Sequence, residues 1–534
     1  MRCLKTVLAM GLLIAGLPVV AAPAPSSMPR VRVEGGELQG TLLPTGEEAF
    51  LGIPYAAPPV REQRWRDPQP ASHWRGTFHA DRYGPQCPQP QRGMLTNSYS
   101  GAEVTSEDCL YLNIWAKPGL KKAPVIVYIH GGAFFIGSAS MPMYGGAAIA
   151  REGAVFVNFN YRLGVLGMMA HPDLSKESPH GTSGNYAFLD QIAALKWIKR
   201  NIAQFGGDPD NVTIAGQSAG SMSVNMLQAS PLARGLFQRA VGMSGSLLEG
   251  PSALLTMTDA EKQGINLQTF LKAGSLADLR AMPADRLMLP RSANGPKIGP
   301  VVDGYVVAQP VEQVFAEGKQ ADVPLILGFT RDESFGGIGP VADLSDYKTK
   351  VQKKFGSRAA KFLALYPADD DAQARAQARL ADRDGTMAVG MDAWANAQVR
   401  HGKMPVFAYE FARVPPFTPG AVIEGTDVAT AGAYHTSEVP FWLGTLDSFN
   451  LFRQTRDWTA ADRAMSLAMT KALVSFARTG GPQAANVDWD AYAPDRRNLI
   501  RFGETMTVGM WPSAEKLNFF RSVTAERAEG RVGE

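Results

Sequence analysis

Cysteine is scarce in this chain, with three among 534 residues, and histidine nearly so, with seven. Two isolated cysteines without histidines nearby make a poor zinc ligand set, so a structural metal is not expected. Charge of one sign is lacking too: 53 lysines and arginines face 50 acidic residues, a formal +3. So small an excess, with no block of like charge, gives no case for a nucleic-acid partner. There are no internal repeats, and no low-complexity linker marks a domain boundary. Length alone would suggest several domains, but large α/β enzymes often run as one unit.

Long apolar runs are missing as well. The nearest is Val7 to Val20, preceded by Arg2 and Lys5 and followed by small residues and prolines through Pro25. Two basic residues, a short apolar stretch and a small-residue exit describe an export signal cut near Ala21 to Ala24. A membrane anchor is the alternative, yet the run falls short of the roughly 20 residues a spanning helix needs, and Gly11, Gly16 and Pro18 interrupt it. The expectation is a cleaved signal over 1–24 and a mature chain, 25–534, that forms one domain. That chain would be secreted or periplasmic, without stable membrane insertion. Cys3 leaves with the signal. Cys87 and Cys109 remain, as unpaired thiols or, in an oxidising compartment, as a pair.

What is present is a series of short apolar, β-branched runs that end in glycine-rich or polar turns. Val125–Ile129 runs into His130-Gly131-Gly132-Ala133-Phe134, and Ala154–Phe159 into Asn160-Tyr161-Arg162. Val212–Ala215, Ala240–Met243, Leu325–Gly328 and Val406–Phe411 complete the set. Continuous apolar runs, in place of alternation, predict strands covered on both faces of a mostly parallel sheet. Phe188, Ile192, Leu195, Ile198 and Ile202 recur at helical spacing, with Gly206-Gly207 as a stop. Strand, helix, strand is a βαβ unit, so the expected class is α/β with a doubly wound sheet. The long segments 245–322 and 335–405 are mixed helix and loop, and are expected as insertions that roof a site.

The chemistry begins at Gly216-Gln217-Ser218-Ala219-Gly220, a G-x-S-x-G placed just after a strand and before the helix-compatible Met222–Gln228. A turn this sharp strains the serine backbone, and glycines two residues either side remove side chains that would collide. The hydroxyl is then held clear near a helix N-terminus, where a developing anion is favoured. A small-residue turn without chemistry is the bland alternative. The backbone N–H of Ala219 is one donor for an oxyanion, and the loop His130-Gly131-Gly132-Ala133 supplies others. In folds built on this turn the order is Ser, acid, His. Only His401 and His435 follow Ser218. His401 stands at the wrong end of the strand Val406–Phe411, which selects His435. The acid lies just past Leu325–Gly328, as Asp332 or Glu333, and position alone does not separate these neighbours. Phe134, Phe135 and Met222 flank the site and suggest apolar lining.

At this point the residues resemble the type-B carboxylesterase family, the group containing cholinesterases and bacterial p-nitrobenzyl esterases. The resemblance runs from about Val31 to Tyr492. It is carried by Phe50-Leu51-Gly52-Ile53-Pro54-Tyr55-Ala56, Glu107-Asp108-Cys109-Leu110-Tyr111-Leu112-Asn113, Asn160-Tyr161-Arg162-Leu163-Gly164 and Phe205-Gly206-Gly207-Asp208-Pro209. It implies an α/β-hydrolase fold and a serine esterase that needs no metal or cofactor and takes a small-molecule ester. It implies Glu333 as the acid, His435 through Gly432-x-x-His435-x-x-Glu438, and Gly132, Ala133 and Ala219 as oxyanion donors. It also pairs Cys87 with Cys109 and places Ser244 as a support of the triad. Gln217 stands where the family most often has glutamate, and Ser334 where it has glycine after the acid. The family also contains esterases for polycarboxylate esters such as the tricarballylate esters of fumonisins, which is the alternative substrate class. A non-catalytic, neuroligin-like adhesion module would lack a triad member, and a peptidase would cleave amides instead.

Overall fold

The computed structural model describes residues 28–90, 104–249, 254–288, 295–484 and 487–528. The expected signal, residues 1–24, lies outside them. Eleven strands make the central sheet: β1 (Thr41–Leu42), β2 (Glu48–Pro54), β3 (Tyr111–Ala116), β4 (Ala123–Ile129), β5 (Val155–Phe159), β6 (Gly207–Gln217), β7 (Arg239–Met243), β8 (Leu325–Thr330), β9 (Val406–Phe411), β10 (Asn498–Phe502) and β11 (Met506–Met510). Their order across the sheet is β11-β10-β9-β8-β7-β6-β4-β5-β3-β2-β1. The seven from β10 to β5 are mutually parallel, and the outer strands are antiparallel.

The continuous apolar runs have a direct cause. Val125, Val127 and Ile129 of β4 enter one buried cluster, while Ile126 and Tyr128 enter another on the opposite face. The same split divides Val155 and Val157 from Phe156, and Leu325 and Leu327 from Ile326. A strand with two buried faces has no polar side to alternate with. Helix α1 (Tyr186–Asn201) packs Phe188, Ile192, Leu195 and Ile198 on the first face. On the second, the helix Ala460–Thr479 packs Met469, Leu473 and Phe476. Gly206, at φ 81°, makes the stop after α1 and its 3-10 extension, and Gly207 already belongs to β6.

All six expected strands are present, with β6 longer than the run Val212–Ala215 suggested. Chain order explains where a site can form. From β4 the chain moves to β5 on one side, then returns to β6 on the other. That reversal is the switch point at which open parallel sheets leave a crevice beyond their carboxyl ends. The long segments are only partly insertions. Helices Val311–Ala316 and Val389–His401 cover the sheet itself, through Val314, Phe315, Met391 and Trp394. In contrast, Leu344–Phe355, Ala359–Leu365 and Asp371–Arg383 bury Tyr347, Val351, Phe362, Tyr366 and Ala378 in a separate small core.

Cys87 and Cys109 are joined in a disulfide with Cα atoms 5.0 Å apart, closing a loop with a sequence separation of 22. Chain entropy assigns such a loop about 3 kcal/mol. Replacing both cysteines by serine is therefore expected to lower Tm by several degrees in scanning calorimetry, and an unchanged Tm would show that the bond constrains nothing.

Candidate active site

Ser218 immediately follows β6 and precedes α2 (Ala219–Ala229). Its backbone lies at φ 57°, ψ −122°, a region that costs a non-glycine residue about 1–3 kcal/mol. The surroundings leave it no other course. A Cβ on Gly216 would lie 2.3 Å from the carbonyl oxygen of Gly220, and one on Gly220 would lie 2.0 Å from that of Ile129. The Ser218 N–H donates to the carbonyl of Met243 on β7 at 2.8 Å, pinning the turn to the neighbouring strand. Gln217 and Ala219 are buried, whereas Ser218 keeps partial exposure.

Past the carboxyl end of β8, Glu333 folds back so that Oε1 accepts from the Thr330 N–H at 3.1 Å. Its Oε2 lies 2.6 Å from Nδ1 of His435. The Glu333 side chain is fully buried, and that of His435 is 18% exposed, so the imidazole joins a dry carboxylate to an open face. A carboxylate at Nδ1 fixes that nitrogen as the donor and leaves Nε2 as the base. The side-chain amide of Gln217 approaches Nε2 at 3.1 Å. The loop carrying His435 is tied to the acid loop by two bonds: Asp332 N–H to Ala433 O at 3.1 Å, and Ala433 N–H to Asp332 Oδ2 at 2.7 Å. Asp332 thus points at backbone and at Arg331, 2.7 Å away, and not at the imidazole. The neighbours that position left equivalent are separated by the geometry. His401 ends a helix, exposed, and Glu333 bonds His435 instead.

The loop after β4 approaches the serine from the other side. Gly132, Ala133 and Phe134 all have positive φ, at 114°, 55° and 63°. The N–H groups of Phe135 and Ile136 both close on Gly132 O at 3.0 Å. A Cβ on Gly131 would lie 3.2 Å from Ser218 Cβ and 2.6 Å from Gln217 O, so only glycine lets this backbone pass so near. His130 is buried against Tyr161, with centroids 4.3 Å apart, and burial pushes its imidazole down to about 4. It holds the loop in neutral form. Phe134 departs from the expected lining: it is buried, packed edge-on to Phe188 at 5.6 Å, while Phe135 and Met222 stay partly exposed.

Beneath the triad, Ser244 (φ 49°) donates from its N–H to Gly328 O at 2.8 Å and from its hydroxyl to Glu438 Oε1 at 3.3 Å. Glu438 is wholly buried, and burial, with the charge of Glu333 nearby, pushes its carboxyl up to about 8. Sequence gave Glu438 only a place in a spacing pattern. Phe335 was not singled out at all, yet its ring stands perpendicular to His435 with centroids 4.5 Å apart.

A serine on a strained strand-to-helix turn, a histidine oriented by a buried glutamate and a glycine loop against the serine define a serine hydrolase of the α/β-hydrolase fold. Residues 27–520 match the profile of the carboxylesterase family. The chain is 37% identical over 474 residues to fumonisin B1 esterase from Sphingopyxis macrogoltabida, covering 86% of this chain and 83% of that protein. It is 34% identical to para-nitrobenzyl esterase from Bacillus subtilis (strain 168), over 91% and 97% of the two chains. A solved PNB esterase superposes with a TM-score of 0.76 at 33% identity, covering 92% of this chain and 98% of its own. The chain belongs to the carboxylesterase family and is a carboxylic ester hydrolase.

The state of Glu438 is testable by pH. Folded, its carboxyl holds its proton up to about 8, while in the unfolded chain it releases it near the ordinary 4.5. Between these values the native state binds more protons, so this group's contribution to stability is full below about 4.5 and is lost as pH rises through 8. Glu438→Gln removes that dependence. The variant-minus-wild-type difference in Tm is expected to grow steadily from pH 5 to 8.5, and parallel curves would show that the carboxyl is not held neutral.

Proposed function

We propose that Ser218 is the nucleophile, His435 the general base and Glu333 its orienting acid, with oxyanion donors at Gly132, Ala133 and Ala219. The observation that carries this reading is the 2.6 Å bond between Glu333 and His435, whose imidazole is met at 3.1 Å by the amide of Gln217, the residue before Ser218. His435 Nε2 takes the hydroxyl proton as Ser218 Oγ attacks the ester carbonyl, and the Glu333 carboxylate stabilises the imidazolium. In this reading the backbone N–H groups at the start of α2 and in the loop after β4 receive the charge that develops on the carbonyl oxygen, each worth about 3 kcal/mol by analogy with other oxyanion holes. The proton then passes to the leaving alcohol, and water repeats the cycle on the acyl-enzyme.

A second reading concerns the acyl group. The likeness to fumonisin B1 esterase at 37% identity supports esters of polycarboxylic acids, such as tricarballylates, as substrates. The neutral amide of Gln217 at His435 agrees with it, since a carboxylate there would repel an anionic acyl group. Comparing a tricarballylate ester with its neutral trialkyl analogue decides this: preference for the anionic ester supports the reading, and rejection of it sinks it. We also infer export, from the segment 1–24 together with the disulfide. N-terminal sequencing of the mature protein is expected to begin near residues 22–25.

Ser218→Ala is expected to fold normally and to lose turnover by several orders of magnitude. A variant retaining more than a few per cent of wild-type turnover would remove Ser218 from the role. Glu333→Gln is expected to cut kcat by about 10³ to 10⁴, as loss of the acid does in other triads. Asp332→Asn, which disturbs the tether to Ala433 and the pair with Arg331 but not the bond to His435, is expected to cost less than about tenfold. Steady-state kinetics on one aryl ester rank the two, and the reverse ranking would move the acid role to Asp332.

A further inference from the structure

Glu333 is followed by a six-residue loop, Ser334 to Gly339, that belongs to no strand or helix. Two helices of the separate small core grip it. Asp382, on the helix Asp371–Arg383 and 2% exposed, accepts from the Ser334 hydroxyl at 2.6 Å and from the Ile338 N–H. Lys354, on the helix Leu344–Phe355, donates to the carbonyls of Gly336, at 3.0 Å, and Gly337. A Cβ on Gly337 would fall 1.4 Å from Asp382 Oδ1, so only glycine allows the loop to wrap the carboxylate. Ile338 packs against the small core at the loop's far end. The element thus gripped holds out one large side chain, Phe335, which is 47% exposed and stands against His435.

An exposed phenyl ring is left open to water at a cost, and a buried carboxylate is retained only when its bonds are made. Here the two are coupled, since the buried group fixes the backbone on which the exposed one stands. The ring lies on the imidazole that must reach both the serine and the departing alcohol. A substrate seated for reaction therefore brings its alkyl or aryl part within reach of Phe335.

We propose that Phe335 is a specificity-determining residue that packs an apolar part of the ester beside His435, and that Asp382 is its positioning residue, acting through the loop Ser334 to Gly339. The inference rests on His435 being the general base. Each methylene of the substrate buried on the ring contributes about a fourfold gain in kcat/KM. Asp382 exerts no effect on chemistry of its own; it changes selectivity only through the place it gives the ring.

The test measures kcat/KM for two series of esters: p-nitrophenyl esters of lengthening acyl chain, and acetates of lengthening alcohols. Phe335→Ala is expected to flatten the chain-length dependence of one series, lowering the longest member more than tenfold and the shortest less than threefold. Asp382→Ala is expected to reproduce the flattening, and to add nothing in the Phe335→Ala background. Ser334→Ala, which removes one of the two bonds to Asp382, is expected to give an intermediate slope and carries the test if Asp382→Ala does not fold. Equal losses on short and long esters, or additive effects of Phe335→Ala and Asp382→Ala, would overturn the proposal. Failure of the triad reading shows separately, as turnover surviving Ser218→Ala whatever the chain length.

Discussion

The site depends on one crowded turn. Ser218 holds left-handed backbone because two other segments, the end of β4 with its loop and the residues after β7, occupy the space a relaxed turn would need. Ile129 O lies where a Cβ on Gly220 would go, and Ser218 O itself lies 2.3 Å from where a Cβ on Gly245 would go. Gly131 closes the third side, 3.2 Å from the serine Cβ if it had a side chain. These contacts follow from strand order. With β4 on one side of β6 and β7 on the other, the loops leaving all three carboxyl ends must share the same crevice. Strain of about 1–3 kcal/mol persists only where the surroundings over-determine it, and here they are backbone on every side. The position of Ser218 is therefore a property of the sheet, set before any side chain is considered.

Charge around the turn is arranged with similar economy. Glu333 is buried near Glu438, and its charge helps raise the proton affinity of Glu438, so two carboxylates share one dry region. Like charges so placed do not both ionise readily. Burial and the nearby charge of Glu333 favour protonation of Glu438, while the hydroxyl that Ser244 donates to it opposes protonation. In the proposed mechanism the imidazolium forms 2.6 Å from Glu333, and the amide of Gln217 places a dipole at Nε2 in place of a second charge. His130, under the loop after β4, is kept neutral by burial.

How much of this was legible in the sequence depends on the range of the contact. The central strands were visible because two buried faces write an unbroken apolar run, as in Val125–Ile129. The outer strands were not. Glu48–Pro54 contains a glycine, a proline and a bulge against β3, and Met506–Met510 is largely exposed, with Val508 and Met510 facing solvent. Neither pattern reads as a strand. The motif around Ser218 was legible because its constraints are local, two residues either way. Asp332 and Glu333 were not separable from the residues alone, since what divides them is Ala433 and His435, some hundred residues on. The family resemblance named Glu333, and the structure bonds that residue to His435 while Asp332 bonds Ala433. Phe134 was misread because adjacent loop residues point opposite ways, and the fold turned this one towards Phe188.

Ser334, a departure from the family pattern without an evident purpose in sequence, acquires one from a partner 48 residues away. The apolar stripe of the helix bearing that partner packs in the small core and not on the sheet, so it could shift without disturbing the turn at Ser218. It is nonetheless referenced to the sheet by charge. Arg383, next to Asp382, pairs with Glu410 of β9 at 2.8 Å, and Glu410 also holds Arg501 of β10. All four groups of interest are then located from adjacent strands: Glu333 and Phe335 follow β8, His435 follows β9, and Asp382 is fixed to β9 through its neighbour. A small core with its own packing can vary in shape while the buried carboxylate of Asp382 keeps register with the chemistry. Separating the part that sets the reaction from the part that shapes the pocket lets either change without unmaking the other.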